Sequence, residues 1–332
     1  MSCTWRTIGR RTVLAGAGGA LAATGLPGMV RGQSGYPGGQ TVTIVMPYAP
    51  GGSMDVLGRV LTQGLSERLG GTFVLDHKPG ASTTLAARHV ARARPDGSTL
   101  LMGTSVTFTM VPFALRNPGF DALADFAHVT MIGDTLFLLV ANPRWRSLDE
   151  LIAEAKRRPG ALSYATWGVG TSSHLLMLDL MTRAGIDLLH VPYNGAPPAL
   201  TETLAGRIDL MFSTFAPAKP HVEAGRLRGF GTPAAERVSA LPEVPTLIEM
   251  GYRDFVGNGW FTLSAPAGTP QPVLAMLEEA TVAILADPAT RTRLDSLGLV
   301  TSPPRAKAAR ERIIREAATN RELMRRAGIE PE

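Results

Sequence analysis

Two series of short apolar runs, each followed by stretches of helical periodicity, constrain the fold of this sequence most. The first series starts with the apolar, β-branched run Thr41–Met46 and continues through a predicted helix at Met54–Leu69. The second starts after Asn142-Pro143, with a predicted helix at Leu148–Arg157 and a predicted strand at Leu162–Ala165. Strands that alternate with helices indicate a parallel sheet covered on both faces. Two such series predict two similar α/β lobes.

Further predicted elements extend both series and indicate where the chain passes between the lobes. The apolar stretches Thr135–Ala141 and Trp260–Ala265 are the predicted crossings, and the C-terminal helices are expected to pack back on the first lobe. One lobe would then comprise residues 35–137 and 260–332, and the other residues 138–259. The other predicted elements are the strands Phe73–Asp76, Ser98–Gly103, Leu188–Val191 and Ile208–Phe212 and the helices Thr84–Arg92, Ser173–Thr182, Pro198–Ala205, Val273–Leu285 and Ala306–Arg326.

The first 34 residues have the layout of an export signal. The twin arginine Arg10-Arg11 precedes Ala15–Val30, a mildly apolar stretch that is rich in glycine and alanine. Its glycines and its proline would make a weak membrane-spanning helix. We therefore predict a twin-arginine-type signal peptide over residues 1–34 and a periplasmic location. The single cysteine, Cys3, lies in this segment, so the mature chain is expected to lack disulfides and cysteine metal ligands.

The charge distribution argues against nucleic acid as a partner. The formal net charge is +5 at pH 7, and four of these charges come from the arginines of residues 1–33, which contain no acidic residue. The rest of the chain is therefore close to neutral. It also lacks a basic run that alternates with aromatic residues, as nucleic-acid-binding segments often have.

The stretch Tyr48–Asp55, YAPGGSMD, joins the first predicted strand to the first predicted helix. Gly51 and Gly52 allow a ligand to approach the backbone closely, and the start of the helix supplies free N–H donors. Ser53 is able to cap the helix or to donate its hydroxyl group to a ligand. The residues alone leave an anion site and a simple capped turn as equal alternatives. A phosphate-binding P-loop is disfavoured, because its spacing and its lysine are missing.

A second loop, Ala165–His174, lies at the equivalent position between a strand and a helix. Gly168-Val169-Gly170 matches a dinucleotide fingerprint only in part, since no third glycine follows at the required position. Ser172 or Ser173 beside His174 would suit a serine hydrolase, but no Gly-x-Ser-x-Gly motif surrounds either serine. The six histidines form no close metal-binding pair. Loops rich in N–H and hydroxyl groups but poor in charged side chains favour reversible binding of an anion, without cofactor or metal.

Seven fragments in order carry a family resemblance over nearly the whole mature chain. They are YPGGQTVTIVMPYAPGGSMD, KPGAST, ARARPDGSTLLMGTS, RRPGALSYATWGVGTSSHLL, LHVPYNGAPPALTETLAGRIDLMF, LPEVPTLIEMGY and GWFTLSAPAGTPQPVL. Through them the sequence resembles the Bug-type receptor family of the tripartite tricarboxylate transporters, whose members are periplasmic solute-binding proteins.

The resemblance implies an α/β fold of the two-lobed periplasmic-binding-protein type (type II, Venus flytrap) with two crossover strands. It implies that the Pro-Gly-Gly-Ser loop grips a ligand carboxylate through amides and hydroxyls, and that the Gly-x-Gly-Thr-Ser-Ser loop meets the ligand from the second lobe. The expected ligand is a small di- or tricarboxylate or an aromatic acid. The expected partner is the transporter's membrane permease, and the protein is expected to be a monomer without enzymatic activity. The candidate ligand contacts are Tyr48, Gly51, Gly52, Ser53, Asp55, Thr104, Ser105, Thr166, Trp167, Gly170, Thr171, Ser172, Tyr193 and Ser213.

Departures from the family pattern bear on the ligand. Met54 replaces a usual Thr, which makes this corner more apolar, and Ser82-Thr83 replace a common Gly-Gly. Ser213-Thr214 stand where the family often has Asp-Asn, and the loss of that carboxylate argues against a ligand amine. Trp167 replaces small polar residues, and it would either stack on a flat ligand or plug the space between the lobes.

Two rivals to a transport receptor remain open on the sequence. A module that presents its ligand-bound form to a receptor kinase would use the same closed flytrap, so the residues do not separate sensing from transport. A periplasmic serine hydrolase would require a complete Ser-His-acid arrangement around Ser172 or Ser173.

Overall fold

The strands of the chain form two sheets, each with its own helices. The computed structural model describes residues 35–301, 306–326 and 331, and the predicted export signal lies outside these residues. In chain order, the strands of the described residues are β1 (Thr41–Met46), β2 (Thr72–His77), β3 (Thr99–Thr104), β4 (Phe126–Thr135), β5 (Phe137–Ala141), β6 (Ser163–Thr166), β7 (Leu189–Pro192), β8 (Leu210–Thr214), β9 (Arg228–Gly231), β10 (Gly259–Pro266) and β11 (Leu299–Thr301).

Helices follow most of the strands, as the alternation in the sequence predicts. A 3₁₀ turn at Ala81–Thr83 precedes the second helix, and a π-helical turn at Val106–Met110 precedes the third. None of the helices in the described ranges is long and apolar enough to span a membrane. The helices are α1 (Ser53–Leu69), α2 (Thr84–Ala91), α3 (Val111–Ala114), α4 (Leu148–Arg157), α5 (Ser172–Ala184), α6 (Ala196–Leu204), α7 (Phe215–Glu223), α8 (Gln271–Ala286), α9 (Pro288–Asp295) and α10 (Ala306–Arg326).

The first sheet combines strands from both ends of the chain, in the order β11-β4-β10-β3-β1-β2. Strands β1, β2 and β3 run parallel, whereas β10 is antiparallel to β3 and β4, and β11 is antiparallel to β4. The parallel arrangement brings the carboxyl ends of β1, β2 and β3 to one edge of the sheet. Their last residues are Met46, His77 and Thr104.

The second sheet is built from the middle of the chain, in the order β7-β6-β8-β5-β9. Strand β6 is parallel to β7 and β8, and β5 is antiparallel to β8 and β9. The chain enters this sheet at Leu136, whose N–H donates to the Gly298 carbonyl at 2.9 Å and whose carbonyl accepts from the Phe215 N–H at 3.0 Å. It returns to the first sheet with β10. The mixed α/β architecture with two sheets confirms the predicted fold class.

Apolar side chains on both faces of each sheet explain why helices pack there. In β1, Ile44 lies in a buried cluster with α1 and α8, and the neighbouring Val45 lies in a cluster with α2 and α10. In β5, Leu139 packs with α4 and α5, and Leu138 packs with α6 and α7. Successive strand residues point to opposite faces, so each of these strands is buried on both sides. Each such aliphatic side chain contributes roughly 1.5–3 kcal/mol when fully buried.

The structure differs from the sequence-based description in several elements. The sequence indicates a polar loop at Thr104-Ser105 after the predicted strand Ser98–Gly103, but Thr104 ends β3 and Ser105 directly precedes the π-helical turn. Strands β4, β9 and β11 and helices α3, α7 and α9 were not predicted. Helix α7 starts immediately after β8 and contains Pro217 and Pro220, although proline is disfavoured in the interior of a helix.

Candidate ligand-binding site

The loop between β1 and α1 is held in shape by the carboxylate of Asp55. Gly51 has a φ of +92°, a conformation that favours glycine, and its N–H donates to Asp55 Oδ2 at 3.1 Å. Asp55 lies in the first turn of α1, and the same oxygen accepts a hydrogen bond from Arg59 Nε at 3.1 Å. The carboxylate is buried, so it fixes the loop from the inside.

The start of α1 leaves backbone donors without a partner. Gly52 is the N-cap, and its carbonyl accepts hydrogen bonds from the N–H groups of Asp55 at 3.0 Å and Val56 at 3.3 Å. Within the described residues, the N–H groups of Gly52, Ser53 and Met54 have no acceptor. Ser53 is the first helical residue rather than the cap, and its buried Oγ makes no hydrogen bond. The loop therefore offers three N–H groups and one hydroxyl to a ligand.

These donors border a cavity between the two sheets. The cavity contains about 560 Å³ of empty space, part of which is open to solvent. Two hydrogen bonds join the sheets beside it: the Ala49 N–H donates to the Asn194 carbonyl at 3.4 Å, and the Ser82 hydroxyl donates to the Val169 carbonyl at 3.0 Å. A small organic molecule in this space would contact residues of both sheets.

Unpartnered polar atoms are concentrated in this cavity. Five buried side-chain oxygen atoms of described residues that line the cavity make no hydrogen bond. A buried polar group without a partner costs free energy unless a ligand or water engages it. The cavity therefore has the polar lining of a binding site. The five atoms are Tyr48 Oη, Ser53 Oγ, Asp55 Oδ1, Thr135 Oγ1 and Thr214 Oγ1, of which Asp55 Oδ1 lies at ion-pair distance from the His77 ring.

Several helix N-termini lie at the cavity. Helices α1, α5 and α6 begin with the lining residues Ser53, Ser172 and Ala196, and Thr214 immediately precedes α7. Each helix start carries a partial positive charge that favours an anion, although α6 begins with Ala196-Pro197-Pro198 and its two prolines have no N–H. No lysine or arginine of the described chain lines the cavity, so an anion would be held mainly by dipoles and hydrogen bonds. The ionisable lining residues are Tyr48, Asp55 and His77.

Apolar side chains form the rest of the wall. Met54 lies at the corner beside the α1 start and is buried. Trp167 packs on Phe137, with ring centroids 5.6 Å apart and planes inclined at 40°. Trp167 and Tyr48 also line a second space between the sheets, and they separate that space from the cavity. Burial raises the pKa of the Tyr48 phenol well above its usual range, which keeps this partition uncharged.

Eight of the fourteen predicted ligand contacts line the cavity, and six do not. Tyr193 instead lines the second space. Ser213 is fully buried, and its hydroxyl donates to the Thr214 carbonyl at 3.1 Å. The lining residues are Tyr48, Gly52, Ser53, Asp55, Thr104, Ser105, Trp167 and Ser172, and the others are Gly51, Thr166, Gly170, Thr171, Tyr193 and Ser213.

Most polar groups of the second loop hold the loop itself together. The Gly170 N–H donates to His174 Nδ1 at 3.1 Å, and the Thr171 hydroxyl donates to the Gly168 carbonyl at 2.7 Å. Thr166 Oγ1 lies 2.7 Å from the Nε2 atom of His190. These groups are therefore occupied, and the loop faces the cavity through Trp167 and Ser172 alone.

The serines beside His174 do not form a catalytic pair. The Ser172 hydroxyl is directed at Met110 Sδ, 3.7 Å away, and Ser173 Oγ accepts a hydrogen bond from the Trp167 N–H at 3.2 Å. A general base must reach the hydroxyl whose proton it takes, and these hydroxyls are directed elsewhere. The described part of the chain also brings together no three His, Cys, Asp or Glu side chains in the manner of metal ligands.

Three polar lining residues escaped the sequence analysis: His77, Thr135 and Thr214. His77 ends β2, and the carboxyl ends of parallel strands are the usual place for ligands in α/β sheets. That rule would have identified it together with Thr104. Thr214 follows the buried Ser213 on β8, and the alternation of strand side chains would have placed it on the other face.

Comparison with known sequences identifies one family over most of the chain. The profile of a family described as "Tripartite tricarboxylate transporter family receptor" matches residues 57–329. A relative from Pseudomonas sp. (strain P51), described as the UPF0065 protein in the tcbD-tcbE intergenic region, is 35% identical over 298 residues. The matched region covers 89% of this chain and 88% of the relative.

Solved structures similar to this chain share its two-sheet fold. The periplasmic binding protein BugD is 30% identical with a TM-score of 0.84, and the match covers 88% of this chain and 99% of BugD. An R. palustris protein solved with adipate is 31% identical with a TM-score of 0.86, and the match covers 90% of this chain and 100% of that protein. Both matches are long enough to include the two sheets.

Proposed function

Since this chain belongs to the tripartite tricarboxylate transporter receptor family, we propose that it is a solute-binding protein that delivers a small organic carboxylate to a permease of that transporter. The observation that carries the proposal is the set of unpartnered donors around one cavity: the N–H groups at the start of α1 and the hydroxyls of Ser53, Thr135 and Thr214. A carboxylate accepts several hydrogen bonds at once, and bonds to a charged acceptor are about twice as strong as neutral ones.

The proposed ligand class is a di- or tricarboxylate or an aromatic acid. The similar R. palustris protein was solved with adipate, a dicarboxylate with an apolar chain. The cavity suits such a molecule, because Met54, Phe137 and Trp167 offer apolar contacts beyond the α1 donors. Small-molecule sites commonly combine an apolar wall with a few convergent polar groups.

We propose binding without chemical conversion. Ser172 and Ser173, the candidate nucleophiles, direct their hydroxyls away from His174. The family comprises receptors, and the unpartnered donors of the cavity suit a carboxylate that is bound without being converted.

Closure of two lobes would couple binding to delivery. In this proposal the lobes are residues 35–137 with 260–332 and residues 138–259, and the chain passes between them at Leu136 and before β10. The ligand touches both lobes only when they are closed, so binding favours the closed form. The permease would then recognise the closed surface.

The proposed location is the periplasm, where the protein acts as a monomer. The similar protein BugD is described as periplasmic, and Arg10-Arg11 begins a twin-arginine-type signal in the sequence. Replacing both arginines with lysine is expected to leave the precursor in the cytoplasm. Normal processing of that variant would exclude the twin-arginine route.

Native mass spectrometry followed by a thermal-shift screen tests the function. The screen comprises mono-, di-, tri- and aromatic carboxylates, with the corresponding amides or alcohols as controls, and each is run with and without a chelator. A true ligand stabilises the fold by about 2.7 kcal/mol at a hundredfold its dissociation constant. We expect carboxylates, and not their neutral analogues, to raise the melting temperature in both conditions. Stabilisation by neutral analogues alone, or by no carboxylate, would contradict the proposal.

A further inference from the structure

His77 is the one side chain lining the cavity in the described chain that is able to carry a positive charge. It is the last residue of β2, and its side chain is 20% exposed. The cavity is bordered by the unpartnered N–H groups of Gly52 and Ser53 on the neighbouring α1. A carboxylate at those donors would therefore lie on the same side of the cavity as the imidazole.

Both ring nitrogens of His77 face oxygen atoms. Nδ1 lies 2.9 Å from the Tyr48 carbonyl oxygen, which only accepts hydrogen bonds. Nε2 lies 3.1 Å from Asp55 Oδ1, an ion-pair distance, although the angle is outside hydrogen-bond geometry and this oxygen has no other partner. A neutral imidazole has one N–H and would direct a lone pair at one of the two oxygens. The imidazolium ion would donate to the Tyr48 carbonyl and carry a positive charge beside the Asp55 carboxylate.

The charges around His77 leave a net positive charge when the ring is protonated. On α1, Asp55 faces the ring, and Arg59 binds the other carboxylate oxygen at 3.1 Å. On β2, Asp76 and Lys78 flank His77 and pair with each other at 2.9 Å. The carboxylate of Asp55 is thus shared by two cations, Arg59 and the imidazolium. One positive charge is left over beside the α1 start.

We infer that His77 strengthens ligand binding in this chain through the charge of its imidazolium, which attracts the bound carboxylate and couples binding to a proton. The inference rests on the proposed function. The affinity is highest where His77 is already protonated in the free protein. As the pH rises, the free protein loses that proton, binding has to take it up again, and the affinity falls. Histidine is the side chain that changes its charge between about pH 5 and 8.

The protonation state of His77 is measurable without a ligand, because both of its neighbours belong to the same sheet and its loops. These neighbours are Tyr48 and Asp55. The experiment is nitrogen-15 NMR of the full mature chain labelled at histidine, with His77→Asn to assign the signals. Because each ring nitrogen faces an oxygen atom, we expect a form of His77 with both nitrogens protonated in the acidic part of the range from about pH 5 to 8. A His77 ring that carries a single proton throughout this range overturns the inference.

A second experiment measures ligand binding by titration calorimetry, with adipate and with the carboxylate that gives the largest thermal shift. Wild type is measured at about pH 6 and 8 in buffers of different ionisation enthalpy, which reveals proton uptake. We expect the affinity to fall about tenfold towards pH 8, as the loss of one nearby charge predicts. His77→Asn should bind weakly at both pH values, and His77→Lys, which keeps the charge, should bind tightly at both.

The matched control is His221→Asn on α7, whose ring does not line the cavity. It should retain the wild-type dependence on pH. If wild type binds equally at both pH values, or if His77→Asn keeps the dependence, His77 is not the coupled group. If no carboxylate binds at all, the proposed function fails, and the ligand-binding role of His77 fails with it. A pH-independent affinity overturns only the role of His77.

Discussion

Thr135 and Thr214 carry hydroxyl groups that no other group of the described chain engages. Both lie where the chain passes between the sheets: Thr135 ends β4, and Thr214 ends β8 opposite Phe137 of β5. A hydroxyl without a partner destabilises the empty protein and becomes satisfied when a ligand arrives. At the scale of single residues, removal of such a hydroxyl should therefore weaken ligand binding without lowering the stability of the protein.

Thr214→Val should weaken carboxylate binding about fivefold, because it removes one hydrogen bond of roughly 1 kcal/mol while keeping the shape of the side chain. The unfolding free energy should stay equal or rise, since an unpartnered hydroxyl is removed. Calorimetry and urea unfolding measure the two effects.

Ser213→Ala is the matched control for Thr214→Val. Its hydroxyl bonds to a backbone carbonyl outside the cavity, so the affinity should stay unchanged while the stability falls slightly. Wild-type affinity in Thr214→Val would show that this hydroxyl does not reach the ligand.

At the scale of elements, the start of α1 concentrates the proposed binding energy in a few backbone groups. Gly51 holds the loop in a left-handed conformation through its bond to Asp55, whereas Gly52 presents its N–H to the cavity with an ordinary φ of −84°. A Cβ on Gly52 would meet only Pro197, at 3.8 Å. The two glycines therefore have separable roles.

Gly52→Val should weaken binding by about tenfold to a hundredfold, because its side chain obstructs charge-assisted N–H bonds of roughly 1.5–3 kcal/mol. Its stability should change little. Gly51→Ala should lower the unfolding free energy by about 1–2 kcal/mol, the cost of a left-handed residue with a Cβ. Equal affinity in Gly52→Val and wild type would mean that the loop only caps the helix and does not bind the ligand.

Element boundaries could be predicted where local chemistry determines them. Helix α4 spans the predicted Leu148–Arg157, and its start is fixed by Ser147, whose Oγ accepts from the Glu150 N–H at 3.1 Å. The left-handed residues Ala81, Ser82 and Thr83 could not be predicted, because three successive non-glycine residues with positive φ contradict local preference. The hydrogen bond from Ser82 to Val169 shows that a contact between the sheets accompanies this conformation.

At the scale of the whole molecule, the site depends on contacts between distant parts of the chain. The sequence predicted ligand contacts in the α1 loop and at Trp167, which line the cavity, since both follow a strand directly. It did not separate Thr214 from Ser213, because a shift of one residue moves a strand side chain to the opposite face. The sequence also did not predict that Thr135 lines the cavity, since that position depends on the pairing of β4 with β10.

Stability should depend on pH through buried histidines. Burial lowers the pKa of His174 from its usual 6.5 to about 4, with the nearby His190 as a smaller cause. Nδ1 of His174 accepts from the Gly170 N–H, which requires an unprotonated nitrogen. The unfolded chain therefore binds this proton more readily. The contribution of His174 to stability is complete above about pH 6.5 and is lost as the pH falls towards about 4.

His174→Gln tests this dependence. Between pH 7 and 5, wild type should lose on the order of 2 kcal/mol of unfolding free energy through this residue. The variant should lose less, although it starts from a lower stability at pH 7. Urea unfolding at both pH values gives the comparison, and an identical loss in both proteins would contradict the assignment.

A crystal structure of the mature protein with its tightest-binding carboxylate would show whether the start of α1 binds the ligand. We expect one carboxylate group there, with oxygens about 2.7–3.2 Å from the nitrogen atoms of Gly52 and Ser53. The Ser53, Thr135 or Thr214 hydroxyls should then have partners, and both sheets should contact the ligand. A ligand bound outside this cavity, or one whose carboxylate leaves the α1 donors unpartnered, would contradict the account.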